Sequence, residues 1–116
     1  MWVCAKNESK GTVLAARTKA AFSFWDRLRG LLGSQSLPAD SGLWLKPCRS
    51  IHTFFMTYAI DTLFLDEEGR VLAQGTLVPW RASCGKTKTE SVLELPAGTL
   101  ERTRTEIGDR VSLKPN

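Results

Sequence analysis

The sequence predicts a mainly β fold, a compact antiparallel β-sandwich or barrel of about eight short strands with one short α-helix. Short apolar runs alternate with turns rich in Gly, Pro and Asp, which is typical of strands joined by tight connections. A single segment clearly has apolar residues at helical spacing. A parallel α/β sheet would need a crossover helix for each pair of strands, and the sequence does not supply them.

Length and composition indicate one ordinary domain. The chain has 116 residues, of which 42% are hydrophobic and 24% charged, so we expect a single domain over residues 1–116. No apolar run approaches the roughly 20 residues that span a bilayer. The net charge of +4 comes from scattered basic residues rather than a dense cluster, which argues against specific nucleic-acid binding.

The cysteines and the N-terminus favour a cytoplasmic location. Cys4, Cys48 and Cys84 are odd in number and widely spaced, so they form neither a disulfide framework nor a Cys-x-x-Cys site. The first residues lack the long apolar core of a signal peptide and predict a strand instead. We therefore expect reduced thiols, no structural metal and no bound cofactor.

The predicted elements follow from the local pattern. Ser23 and Asp26 form a capping box, and apolar residues at helical spacing follow until Gly33, which predicts the principal helix over residues 23–33. Gly69 suits the positive φ of a hairpin turn, Gly75 suggests a kink or bulge, and residues 81–90 read as a surface loop. Eight strands are predicted, over residues 2–6, 11–16, 43–45, 51–56, 62–65, 70–73 with a continuation past Gly75 over 75–78, 91–95 and 110–113.

Several short motifs also occur in a specific order over residues 26–109. They are RLRGLLG at 27–33, GLW at 42–44, IHTFFM at 51–56, IDTLFL at 60–65, GRV at 69–71, Pro79, VLELPAG at 92–98 and GD at 108–109. This ordered set resembles the family called domain of unknown function 192, small bacterial and archaeal proteins, in an Ile-His-Thr variant, and we expect a bacterial member. The resemblance implies a mainly β, jelly-roll-like sandwich and no established activity, cofactor or catalytic residue.

The densest group of chemically active side chains is Cys48, His52 and Met56. A thiolate, an imidazole and a thioether suit copper(I), with Cys84 as an alternative fourth donor. A Cys–His pair formed by His52 with Cys48 or Cys84 is the nucleophilic alternative. The favoured interpretation is that Cys48 and Met56 fill the core and that His52 is a buried, neutral, hydrogen-bonded side chain.

Asp61 is the most informative carboxylate of the sequence. It lies among apolar neighbours, so its burial would require Arg27, Arg49 or a cluster of backbone amides as a partner. A structural role is favoured over a ligand-binding one. Four acidic residues could be paired for acid–base chemistry: Asp61, Asp66, Glu94 and Asp109. Asp66 and Asp109 lie in turns, where Asp is expected to cap the backbone.

Two functional hypotheses remain. The favoured one is a non-enzymatic binding or interaction module for a protein or small molecule, with Trp80, Arg81 and Lys86 on an exposed recognition surface. The alternative is a small enzyme or soft-metal-binding protein with a pocket centred on His52 and containing Cys48, Asp61 or Met56.

Overall fold

The computed structural model describes residues 1–23, 26–27, 30–31 and 34–116, and it confirms the mainly β prediction. Its strands are β1 (Trp2–Asn7), β2 (Thr12–Ala21), β3 (Ser41–Leu45), β4 (Ser50–His52), β5 (Ile60–Leu65), β6 (Val71–Leu77), β7 (Ala82–Cys84), β8 (Ser91–Pro96) and β9 (Val111–Pro115). A short helix, α1 (Thr99–Thr103), follows β8. No helix among the described residues is long and apolar enough to cross a membrane.

Seven of the strands form one sheet in the order β6-β5-β8-β3-β2-β1-β9, and β4 pairs with β7 in a separate two-stranded sheet. Neighbouring strands are antiparallel, except that β2 and β3 are parallel with Thr18 opposite Gly42. Parallel pairing requires a long connection that returns the chain to its starting end, and residues 22–40 are long enough to do so. This pair is the exception to the predicted antiparallel arrangement.

The large sheet curls until its two edge strands meet at one end. Arg70, just before β6, forms a bridge with Arg110, just before β9. The Val111 amide donates to the Gly69 carbonyl at 2.8 Å, and the Val71 amide donates to the Asp109 carbonyl at 2.8 Å. Of the two predicted architectures, the result corresponds to the barrel, here a half-barrel that encloses an apolar core.

Gly69 permits this approach of the two edges. Its φ is +84°, and a Cβ atom there would overlap the carbonyl oxygen of Val111. We expect Gly69→Ala to lower the free energy of unfolding by about 2 kcal/mol or more, because left-handed strain and steric overlap add. Urea unfolding measures the loss. Gly11→Ala is the matched control, since Gly11 has a φ of +69° but no atom within 4 Å of its Cβ position. Equal losses in the two variants would contradict the importance of edge closure.

The structure corrects four details of the predicted elements. The strand predicted over residues 51–56 ends at His52, and the predicted loop over residues 81–90 contains β7. The β5–β6 hairpin has no register shift at Gly75, where a kink or bulge was predicted. Its irregularity lies between Phe64 and Leu65. Helix α1 has no counterpart among the predicted elements, because five residues are too few to produce a helical apolar stripe.

The helix predicted over residues 23–33 includes six positions that lie outside the described residues, Leu28 and the C-terminal Gly33 among them. In the described part, the Asp26 amide donates to Ser23 Oγ at 3.1 Å, as a capping box requires. The rest of this helix stays a prediction.

Candidate functional site

A cavity of about 90 Å³ brings together three of the four residues of the predicted pocket. Cys48, His52 and Met56 line it, and Glu94 and Arg27 contribute ionisable side chains to the same wall. Much of the remaining wall is apolar and includes Leu31, Leu45 and Ile51. Asp61 does not line this cavity.

His52 is exposed, so the prediction of a buried histidine is wrong. It is the last residue of β4, and neighbouring side chains of a strand point to opposite faces, so Ile51 is buried while His52 faces outward. Its Nδ1 accepts a hydrogen bond from the Phe54 amide at 3.2 Å, and its ring stacks on that of Phe54 with centroids 5.0 Å apart. His52 therefore borders both the cavity and the outer surface.

Cys48 is half-buried, and its environment favours the neutral thiol. The thiol donates to the Ser50 carbonyl at 3.1 Å. Burial raises the pKa of the Cys48 thiol above its ordinary value, and the nearby Arg27 charge does not reverse this. A thiol that remains protonated is a poor nucleophile and a poor metal ligand. Among the described residues, no group of three His, Cys, Asp or Glu side chains could hold a metal ion. The raised pKa of the Cys48 thiol thus counts against both the soft-metal and the nucleophilic alternative.

Asp61 joins two elements of the fold. The side chain is 1% exposed. Its Oδ2 accepts from the amides of Gly98 and Leu100, at 3.0 and 2.9 Å, where α1 begins. Its Oδ1 accepts from the Thr76 hydroxyl of β6 at 2.6 Å. Of the three partners considered from the sequence, backbone amides are thus the ones observed, and the geometry is that of a structural carboxylate.

Glu94 is the functional candidate that sequence reasoning underrated. It lies in the middle of β8, between β3 and β5, and is 5% exposed. Burial raises its pKa to about 8, so the carboxyl is mostly protonated at neutral pH. The signal that could have identified it is the single charged residue within the otherwise apolar segment VLEL, which lies in a central strand.

A surface of four aromatic rings lies next to the cavity. We call this set, His52, Phe54, Phe55 and Trp80, the aromatic loop surface. The Phe55 and Trp80 ring centroids are 4.8 Å apart and those of Phe54 and Trp80 are 6.2 Å apart. Phe55 is 72% and Trp80 55% exposed. The exposure expected for Trp80 from its position after Pro79 is therefore present in the structure.

Thr53 connects the two loops that carry these rings. The residue is fully buried, although its neighbours on both sides are exposed. Its hydroxyl donates to the Val78 carbonyl at 2.6 Å and accepts from the Arg81 amide at 3.0 Å. The backbone adds hydrogen bonds from the Thr53 amide to the Arg81 carbonyl and from the Trp80 amide to the Thr53 carbonyl, at 2.8 and 3.0 Å. The loops are thus fixed by internal hydrogen bonds rather than by burial of their rings.

Two exposed rings of the aromatic loop surface are carried by strained backbone. Phe55 has a φ of +68° and Trp80 a φ of +63°. The left-handed region is unfavourable for bulky residues. Such strain persists only where the surrounding structure holds it, and it is common at functional sites. Glycine or asparagine would fit either position better, so the aromatic side chains are not required by the turn geometry.

The two basic residues of the predicted recognition surface differ in their relation to this site. Arg81 is exposed, and its guanidinium donates to the Trp80 carbonyl at 3.2 Å, so it adjoins the aromatic loop surface directly. Lys86 is also exposed, but it lies in the turn that follows β7, where its carbonyl accepts from the Thr89 amide. Arg81 thus adjoins the aromatic loop surface, whereas Lys86 lies in a separate turn.

A larger groove of about 680 Å³ lies beside β1, β2 and β3. It is lined by the exposed basic residues Arg17 and Lys19 and by Trp2, whose ring centroid is 5.4 Å from the Arg17 guanidinium. The described part of its lining contains no buried charged side chain. The smaller cavity beside Glu94 therefore offers the more specific chemistry.

Comparison with known proteins assigns the chain to a family. The sequence profile named DUF192, "Uncharacterized ACR", matches residues 5–113. The chain belongs to the DUF192 family. This membership confirms the resemblance found in the ordered motifs, whereas the Ile-His-Thr variant remains a prediction. The family is uncharacterised, so membership in it assigns no reaction to this DUF192 protein.

Relatives of this DUF192 protein include two archaeal UPF0127 proteins. The one from Thermococcus sibiricus is 34% identical over 113 residues, which cover 90% of this chain and 71% of the relative. The one from Pyrococcus horikoshii is 34% identical over 110 residues, covering 90% and 94%. Because both are archaeal, they do not support the expectation of a specifically bacterial protein.

Two bacterial crystal structures share the fold of this DUF192 protein. One, from Sinorhizobium meliloti and described as a candidate transcription regulator, has a TM-score of 0.82 at 22% identity and covers 97% of this chain and 92% of its own. A protein of unknown function from Novosphingobium aromaticivorans has a TM-score of 0.78 at 20% identity and covers 97% and 84%. At such identities the similarity concerns the fold alone.

Proposed function

We propose that this DUF192 protein is a non-enzymatic binding module that holds a partner protein on its aromatic loop surface. The observation that carries the proposal is the pair of exposed rings, Phe55 and Trp80, on left-handed backbone fixed by the buried Thr53. Backbone strain and exposed aromatic surface both cost free energy in the unbound protein, and binding of a partner can compensate for both costs.

The chemistry of the surface favours a protein as the partner. Trp, Phe and Arg are enriched at the centres of protein interfaces, where a few large rings supply most of the binding energy. Phe54, Phe55 and Trp80 provide such rings and Arg81 lies at their edge. The hydrogen bonds through Thr53 keep the loops in one conformation, which lowers the entropic cost of binding.

Stability measurements distinguish a binding surface from a packing cluster without a known partner. We expect Phe55→Gly and Trp80→Gly to leave the free energy of unfolding unchanged or raise it by up to about 1 kcal/mol, because glycine relieves the left-handed strain. Thermal and urea unfolding of the single variants check this. A loss above about 2 kcal/mol in either variant would mean that the ring stabilises the fold, and it would contradict the proposal.

A direct binding test uses a displayed library of random peptides selected on the immobilised protein. Selected peptides should bind with lower affinity, by about tenfold or more, to Trp80→Gly than to the unmodified chain, as expected for a central interface ring. Val13→Ala alters another exposed apolar side chain on β2 and should leave the affinity unchanged. Failure to enrich peptides, or affinities that do not depend on Trp80, would overturn the proposal.

We also propose that the protein acts in the cytoplasm, without a cofactor and without specific nucleic-acid binding. Support comes from the odd number and wide spacing of the cysteines, which fit a reducing compartment, and from the scattered basic residues. If the partner is a small molecule instead of a protein, the neighbouring cavity beside Glu94 is the proposed place for it.

A further inference from the structure

The cavity beside the aromatic loop surface contains an unusual combination of burial and chemistry. Glu94 lines it from the middle of the central strand β8 and is 5% exposed. Within the described residues, its carboxyl has neither a hydrogen-bond partner nor a charged partner that lowers its pKa. A carboxyl buried this deeply normally has a compensating hydrogen-bond donor or cation. Because Glu94 lines the cavity, such a group can reach its carboxyl from there.

We propose that this cavity binds a primary ammonium group, with the Glu94 carboxylate as its counter-ion. An ammonium brings both the charge and the hydrogen-bond donors that a buried carboxylate needs. The volume of about 90 Å³ admits such a group with one or two methylene carbons, and Met56, Ile51 and Leu45 supply an apolar wall for them. The ammonium can belong to a small free amine or to a lysine side chain.

Glu94 is better suited as the counter-ion of the ammonium than the other ionisable groups that face the cavity. The Arg27 guanidinium donates one of its N–H groups to the Phe22 carbonyl at 2.6 Å, and as a cation it cannot pair with an ammonium. The Cys48 thiol donates to Ser50 and is kept neutral by burial. His52 lies at the exposed side, where its Nδ1 accepts the Phe54 amide. An anion held by Arg27 and a protonated Glu94 is the opposite arrangement, and its affinity would change with pH in the opposite direction.

Ammonium binding should be coupled to loss of a proton. With a pKa of about 8, Glu94 is mostly protonated at neutral pH, and the ammonium binds its ionised form. The apparent affinity should therefore rise by about tenfold per pH unit up to the pKa. Near neutral pH, each binding event should release close to one proton. An anion would show the reverse trend, because it needs the protonated carboxyl.

The experiment titrates the full chain with methylammonium and, separately, with a blocked lysine, and follows the methyl NMR signals of Met56 and Ile51. Calorimetry in two buffers of different ionisation enthalpy counts the protons released. We expect saturable shifts that strengthen with pH, and a loss of affinity of about tenfold or more in Glu94→Gln. Glu68→Gln removes an exposed carboxylate and is the matched control, which should bind normally. Tighter binding of the blocked lysine would identify a side chain as the source, and equal binding a free amine.

Three results would overturn the proposal. They are the absence of saturable shifts with both probes above the pKa of Glu94, unchanged binding by Glu94→Gln, and preferential binding of acetate that strengthens as the pH falls. The site does not depend on the proposed function, because Trp80→Gly should weaken peptide binding by about tenfold or more and leave ammonium binding intact. Failure of one therefore leaves the other standing.

Discussion

Replacing Asp61 with alanine should destabilise the protein by about 3–5 kcal/mol, the largest loss that we expect from any single substitution discussed. The side chain accepts three hydrogen bonds, from the amides of Gly98 and Leu100 and from the Thr76 hydroxyl. Alanine would leave two amides and a hydroxyl without their acceptor in a nearly dry environment, and unsatisfied buried groups are costly. Chemical denaturation, with the slope checked for two-state behaviour, measures the effect.

Asn is the matched control at position 61. An asparagine can accept from both amides with its side-chain oxygen and donate to the Thr76 oxygen with its NH₂ group, so it preserves the geometry without the charge. We expect Asp61→Asn to lose only about 1–2 kcal/mol. If Asp61→Ala lost less than about 1 kcal/mol, the carboxylate would not be structural, and the ligand-binding interpretation of Asp61 would regain support.

Glu94→Gln is expected to stabilise the protein at neutral and alkaline pH. Burial raises the folded pKa of Glu94 to about 8, well above that of an unfolded chain, so the folded state holds this proton more tightly. The contribution of this proton to the free energy of unfolding is fully present below the unfolded pKa of about 4.3. It is lost as the pH rises towards the folded pKa, at about 1.4 kcal/mol per pH unit. The total is about 4–5 kcal/mol between these limits.

The measurement is the free energy of unfolding of both proteins from about pH 4 to about pH 9. The free energy of unfolding of the unmodified chain should fall relative to that of Glu94→Gln up to about pH 8, the folded pKa of Glu94. Above that pH the difference between the two proteins should stay constant. Glu68→Gln should follow the unmodified chain throughout, because its side chain is exposed. A constant difference between the two curves would show that Glu94 has the same pKa in the folded and unfolded states, and burial would then not control its ionisation.

Much of the architecture follows from local pattern. Alternation and turn residues indicated the β5–β6 hairpin around Gly69, and the structure has Gly69 at φ +84° in that turn. The pattern failed for residues 51–56, whose apolar side chains continue past the end of β4. A run of apolar residues is consistent with a buried strand, and only the partner strand β7, which pairs as far as His52, determines where the strand ends.

The candidate site was partly visible in the sequence. Cys48, His52 and Met56 do meet at one cavity, and Trp80 is exposed as expected. Asp61 was assigned to the same pocket, yet its amide partners follow β8 and lie more than 30 residues further along the chain. No local pattern contains that separation. The burial of His52 was wrong for a similar reason, since apolar neighbours in sequence do not decide which side of a strand end faces the core.

The sequence by itself determined the mainly β class, the family, the hairpin at Gly69 and the exposure of Trp80. Each depends on residue order or on backbone preferences that act over a few positions. The tertiary structure decided the rest. Thr53 joins two loops through hydrogen bonds to Val78 and Arg81, which lie 25 and 28 residues further along the chain. Glu94 faces a cavity formed by segments from distant parts of the chain. Hydrogen bonds and burial between distant segments depend on how the sheet curls, and that curvature results from the packing of the whole chain.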